Sequence, residues 1–244
     1  MRHLFTALLL AWSTAAFAED PTVEQLLSGT DDLTRGTSSQ AIMVMEVKTA
    51  RYERTVKMQS WSQGTDKSLI QILEPAKEAG ISTLKVGDNI WNYLPKVDRT
   101  MKVPAGMMSG AWMGSHISND DLVKESRLSE DFDYEITERP EGDTGRWVIE
   151  LTPRPDAAIV WGKIVATIGV DQLPQTISYH DEDGALVRTM TYSDIRDIGG
   201  RLIPTRFTVV PADKPGEYTA ISYESLEFDV EIPDSTFSLQ ALRR

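Results

Sequence analysis

The sequence predicts a mainly β chain whose strands form a barrel or a strongly curved sheet. Three observations carry this. From Gln40 onward, apolar residues recur with a period of two in segment after segment. About ten or eleven such segments follow one another, with turn residues about every ten positions. The connections between them are short, and short connections join antiparallel neighbours. No internal repeat or low-complexity tract divides the chain, so residues 19–244 read as one domain.

Residues 1–18 stand apart as an export signal. Arg2 and His3 give a short positive end, Leu4 to Phe17 is an apolar run, and Ala16-Phe17-Ala18 is a small-x-small cleavage site. Cleavage is expected between Ala18 and Glu19, which places the mature protein in a bacterial periplasm. The apolar run is too short for a membrane span, and no later run reaches spanning length. The chain has no Cys, so neither a lipid-anchoring thiol nor a disulfide is expected. A formal net charge of −12 argues against nucleic acid and against anionic membrane surfaces as partners.

Thr22 to Leu33 reads as a helix. Thr22 is a good N-cap, Gln25 completes a capping box, and Val23, Leu26 and Leu27 fall at helical spacing. Ala41 to Val47 is then a nearly continuous apolar strand. Arg51 to Trp61 alternates, with Tyr52, Val56 and Met58 on one face. Lys67 to Leu73 follows a Gln63-Gly64-Thr65-Asp66 turn. Ile81 to Val86 and Asn89 to Leu94 flank Gly87-Asp88, a hairpin signal. Later strands are expected over Phe132–Thr137, Arg146–Leu151, Ile159–Ile168, Gln175–Tyr179, Ala185–Tyr192, Arg201–Val210 and Tyr218–Phe228. Gly162 is a place where the third of these can bend. Pro233 to Leu242 reads as a turn with Phe237 as its anchor.

Between the two sets of strands lies the stretch Asn89 to Ser126. After Val97–Val103, which alternates less cleanly, Pro104 ends the strand pattern. An apolar segment follows, Ala105-Gly106-Met107-Met108-Ser109-Gly110-Ala111-Trp112-Met113-Gly114-Ser115, and then a helix-capping run from Ser118 to Asp121. Left in water, Met107, Met108, Trp112 and Met113 would forgo up to roughly 10 kcal/mol of burial. The segment is expected to cover something. It is either a plug on an ordinary core or a movable lid over an apolar cavity, where flexible Met side chains suit variable partners.

Catalytic patterns are weak. The sequence has no Cys nucleophile, no Gly-x-Ser-x-Gly elbow, no His-Glu-x-x-His and no phosphate-binding Gly loop. His116 near Asp120 and Asp121 lacks metal-ligand spacing and reads better as a rim residue beside a helix cap. Asp181-Glu182-Asp183-Gly184 is too short for a calcium loop and reads as a hairpin turn. Glu130, Asp131 and Asp133 read as a solvated strand edge rather than a glycosidase pair. Neither a catalytic residue, a metal site nor a cofactor is assigned. Met is skewed instead. Met43, Met45, Met58, Met101, Met107, Met108 and Met113 are seven of nine, on early strands or in the Met-Trp segment. A plain core would use more branched residues.

Trp91-Asn92-Tyr93-Leu94-Pro95, Trp112-Met113-Gly114-Ser115 and Asn119-Asp120-Asp121-Leu122 together resemble the LolA-like outer-membrane lipoprotein-sorting family. So do Val160-Trp161-Gly162-Lys163, Gly184-Ala185-Leu186-Val187-Arg188, Gly199-Gly200-Arg201-Leu202-Ile203-Pro204-Thr205 and Phe237-Ser238-Leu239-Gln240. The resemblance implies a half-closed antiparallel barrel, its open side covered by a few short helices, around an apolar cavity. It implies a non-enzymatic periplasmic carrier of lipoprotein acyl chains or other lipid-like cargo, which an inner-membrane exporter accompanies. An envelope sensor of mislocalised lipoprotein or lipid is the alternative, and a hydrolase is a distant third. Chemistry and position nominate the cargo-binding residues. Trp91, Tyr93 and Met101 are expected in the wall, Met107, Met108, Trp112 and Met113 in the lid, and Met43, Met45, Val56 and Met58 on facing strands. A slip of one residue in register would reverse each strand's faces.

Overall fold

The structure is a computed structural model that describes residues 20–243 apart from 125–127, 143, 156 and 158. The expected signal segment, residues 1–18, lies outside the described residues. Thirteen strands are described, more than the ten or eleven expected, and they form one antiparallel sheet. The first meander is β1 (Ser38–Lys48), β2 (Glu53–Gln63), β3 (Lys67–Glu74), β4 (Ser82–Val86), β5 (Asn89–Leu94) and β6 (Arg99–Lys102). The second is β7 (Phe132–Glu138), β8 (Arg146–Pro153), β9 (Lys163–Gly169), β10 (Pro174–His180), β11 (Leu186–Ile198), β12 (Arg201–Pro211) and β13 (Tyr218–Phe228). One of the additional strands is the poorly alternating stretch after Val97, which forms the short β6, paired with β5. Strand β9 starts later than expected, after Gly162. A Cβ at Gly162 would sit 2.2 Å from the Asp181 carbonyl oxygen, so the chain makes a close backbone crossing there before the ladder begins.

The meanders join where β1 pairs with β13, from Ser39 opposite Phe228 to Lys48 opposite Tyr218. The outermost strands are β6 and β7, and the sheet stays open between them. The described residues 103–124, which contain the Met-Trp segment, and 128–131 lie in the chain between the two open edge strands. They hold α2 (Asp121–Lys124) and α3 (Leu128–Asp131). The N-terminal helix α1 (Val23–Asp32) begins with the expected capping box. The Thr22 N–H donates to Gln25 Oε1 at 2.8 Å, and the Gln25 N–H donates to Thr22 Oγ1 at 3.2 Å.

Alternation sorts the side chains into two faces. On the inner face, Met43 lies opposite Met58 and Met45 opposite Val56 across β1 and β2. These four, with Leu26 and Leu27 of α1 and Ile149, Leu151 and Ile164 of the second meander, belong to one core cluster. The outer face of β3–β5 carries a second cluster. There Leu69, Leu84 and Tyr93 pack under Phe237, Ala241 and Leu242 of the chain's final turns. Phe237 is buried, as its anchoring role requires.

Candidate functional site

The inner face holds a cavity of about 210 Å³. Its buried wall is mostly apolar and comes from both meanders. Ala41 and Met43 of β1 face Ile177 of β10, Met190 of β11 and Ile221 of β13, and Trp112 and Ile117 of the crossing segment lie beside them. The inward parity of Ala41 and Met43 on β1 follows from their place in the alternating burial of that strand. Other lining residues are polar and reach solvent. They include Thr34 and Arg35 after α1, Ser60 and Ser62 of β2, Thr65 in the β2–β3 turn, and Lys67 and Ser68 of β3. At this mouth the Ser39 and Ser62 hydroxyls hydrogen-bond at 2.7 Å. The buried Lys85 ammonium donates to the Thr65 carbonyl at 2.7 Å. Lys67 Nζ donates to Gln63 Oε1 at 3.1 Å and to Asp234 Oδ1 at 2.8 Å.

The residues nominated from the sequence separate into groups. Met43 and Trp112 line the cavity. Met45, Val56 and Met58 share its face and are fully buried in the core cluster, behind the lining. Trp91 and Tyr93 point to the outer face, where they pack in the second cluster, and Tyr93 Oη donates to Asp98 at 3.1 Å. Met101 and Met108 are half-buried, and Met113 packs partly against the main core. Met107 is 63 % exposed, so the burial expected for the whole segment is realised by Trp112 and not by Met107.

Trp112 is 2 % exposed, and its Nε1–H donates to Thr83 Oγ1 at 3.1 Å. The residues after it are tied down one by one. The Met113 carbonyl accepts from Arg54, and the Gly114 carbonyl accepts from the Tyr52 hydroxyl. Met113 itself has φ 49°, a left-handed turn that such bulky residues seldom adopt. The His116 N–H donates to Thr219 Oγ1 at 2.9 Å, and its Nε2 lies 3.0 Å from Glu217 Oε2. This hydrogen bond, with one from the Ala50 N–H, holds the Glu217 carboxyl below its ordinary range. Asp121 at the start of α2 makes a two-pronged ion pair with Arg188 of β11, both contacts at 2.7 Å. The Arg188 guanidinium also lies over the rings of Tyr179, at 4.2 Å, and Trp161, at 4.8 Å.

Sequence reasoning missed this second set of tethers. It placed His116 at a rim beside a capped helix, and the structure adds a partner a hundred positions away in Glu217. Arg188 left a signal. It sits two residues before Met190 on the same inward parity, and an inward-facing cation needs an acidic partner. The Asp181 carboxylate accepts from the Asp183 and Ala185 N–H groups, which makes the acidic run a hairpin turn. Among the described residues, no group of three His, Asp or Glu side chains is placed to hold a metal ion, and no helix is long and apolar enough to cross a membrane.

Comparison with known proteins agrees with this architecture. A DUF1329 family protein from Desulfovibrio piger superposes with a TM-score of 0.78 at 23% identity, over 89% of this chain and 96% of its own. A LolA superfamily protein from Nitrosomonas europaea gives 0.74 at 22% identity, over 91% of this chain and 100% of its own. A putative outer membrane lipoprotein-sorting protein domain from Vibrio parahaemolyticus gives 0.74 at 22% identity, over 85% and 92%. No curated protein sequence matches the chain. A family model described as "Uncharacterized protein" matches residues 64–244. The chain therefore belongs to that family, and its half-open antiparallel sheet shares its fold with the LolA superfamily protein from Nitrosomonas europaea.

Proposed function

We propose that this protein is a non-catalytic periplasmic carrier that holds an acyl chain of a lipoprotein, or of a similar lipid-like cargo, in its inner cavity. The observation that carries this is the division of the cavity into a mostly apolar buried wall and a mouth that gathers the polar, solvent-reaching side chains. Such a site shields a hydrocarbon chain and leaves a polar head in water. The fold shared with a putative outer membrane lipoprotein-sorting domain supports the same conclusion. The lining includes several serines, but among the described residues neither His nor a carboxylate stands there, and the two lysines donate to other partners, Lys85 to the Thr65 carbonyl and Lys67 to Gln63 and Asp234. This favours binding over hydrolysis. Residues 103–131 act as the cover of the open side, and an inner-membrane exporter is the partner that would hand cargo over.

The test is a titration of the pure mature protein with a fluorescent fatty-acyl probe, followed by displacement with unlabelled apolar competitors. Saturable binding that competitors reverse is expected. A probe signal no greater than that of an unrelated acidic β-protein would leave the cavity as a packing defect without cargo. Sequencing the amino terminus of periplasmic protein checks the location, which requires a start near Glu19.

A further inference from the structure

We propose that the cavity selects amphiphiles with an anionic head group, a carboxylate or phosphate attached to one apolar chain. The proposal rests on the acyl-binding function given above and specifies its ligand. The chain as a whole is acidic, with a net charge of −12. Yet the charged side chains that line the cavity are Arg35, Lys67 and Lys85, all cationic, and among the described residues no carboxylate lines it. Chance sampling of an acidic chain would place acids there at least as often as bases.

The position of these cations matters as much as their sign. Arg35 and Lys67 are half-buried, beside the exposed Gly64 and Thr65 of the β2–β3 turn. The buried Lys85 is fixed close by through the Thr65 carbonyl. A chain laid against Met43 and Trp112 would therefore leave its head among guanidinium, ammonium and serine hydroxyl donors. Partial burial strengthens such contacts relative to those on an open surface. Lys67 already shares its charge with Asp234, which is largely exposed. Asp66, in the same turn, is exposed and does not line the cavity. The carboxyl of Asp234 is held below its ordinary range by Lys67, so that acid stays charged and Arg35 is the less committed donor. The size also favours one chain. A dry cavity of roughly 150 Å³ takes a benzene-sized guest, and about 210 Å³ gives room for a single hydrocarbon segment rather than several side by side.

The experiment uses the full mature protein and four probes with the same dodecyl chain, each below its micelle concentration. These are dodecanoate, dodecyl phosphate, dodecanol and dodecyltrimethylammonium, titrated by calorimetry at neutral pH. Both anions are expected to bind about tenfold or more tighter than the alcohol, the size of one charge-assisted contact. The cation is expected to bind weakest, and the spread is expected to narrow as salt rises. Whichever anion binds tighter tells a fatty-acid ligand from a phosphate-headed lipid. The variant Arg35→Gln/Lys67→Gln, checked for an unchanged melting temperature, is expected to bring anion and alcohol within about threefold while leaving the alcohol unchanged. Equal affinities for anion and alcohol in the wild type would overturn the proposal and leave acyl binding standing. An anion preference that survives in the variant would overturn the assignment to this mouth. Failure of all four probes to bind would remove the acyl-binding function itself.

Discussion

Replacing Trp112 by Ala separates a fixed cover from a moving gate. The indole is 2 % exposed, packs in the main core cluster and lines the cavity. Deleting a buried Trp side chain costs roughly 3–5 kcal/mol, partly for the hole left behind. Here the hole would merge with an existing cavity whose mouth reaches solvent, so the walls need not bridge a closed void. That places the expected loss near the lower end, about 3 kcal/mol. The hydrogen bond adds little, because Thr83 Oγ1 keeps its own donation to Asn92 Oδ1 at 2.7 Å when the indole is gone. At about 2–4 °C per kcal/mol for a chain of this size, the melting temperature should fall by roughly 6–12 °C. Trp112→Phe keeps most of the volume and should lose about 1 kcal/mol, for the smaller hole it leaves. The assay is a urea melt of the three proteins beside an acyl-probe titration of each. The tethers from Met113 to Asp121 favour a fixed cover, so the loss of apo stability should dominate. Less than about 2 kcal/mol of apo destabilisation together with a tenfold or greater loss of probe affinity would refute this and show Trp112 to be a gate.

Three further outcomes are expected. Ser60→Leu places bulk on the half-buried cavity wall beside Met43 and should weaken probe binding about tenfold while changing stability by less than about 1 kcal/mol, read by the same titration and melt. Asp121→Ala removes the two-pronged carboxylate partner of the buried Arg188 guanidinium and should cost about 3 kcal/mol in a denaturant melt, whereas Asp121→Asn, which keeps an acceptor, should cost less. Glu217, whose carboxyl is held below its ordinary range, should stabilise the fold fully above pH 4.5 and lose that contribution as pH falls further. Glu217→Gln should then flatten the acid side of a plot of melting temperature against pH.

The sequence displayed the sheet more clearly than the site. Period-two segments and their turns gave the strands, and the capping box gave α1, because both signals are local. That β1 and β2 carry Met43, Met45, Val56 and Met58 was also legible, but the near-continuous apolar run of β1 left its inward face open, and the pairing of Met43 with Met58 and of Met45 with Val56 came from the structure. Trp91 and Tyr93 were not legible in the same way. Both faces of β5 are buried, the inner one under Ile90 and the outer one under the final turns, so alternation alone cannot tell wall from outside. Ile177, Met190 and Ile221 passed unnoticed because they are ordinary strand residues, and only the long-range pairing of β1 with β13 brings them to the same cavity as Met43. The cationic mouth was hidden for the same reason. Arg35, Lys67 and Lys85 come from three separate turns and strands.

The seam between β1 and β13 also sets the order in which this protein can become functional. Within each meander, strand follows strand through short loops, and those contacts form early and cheaply in entropy. The seam instead joins Ser39 to Phe228, nearly the full length of the chain. The cavity needs β1 on one side and β10, β11 and β13 on the other, so neither half encloses it alone. A chain folding from its amino terminus would therefore present β1–β6 as a sheet with an unpaired strand at what becomes its centre, and no enclosed cavity. Competence would arrive in one step, when the last strand docks. Until then the unpaired flank of β1 is the edge open to wrong pairing.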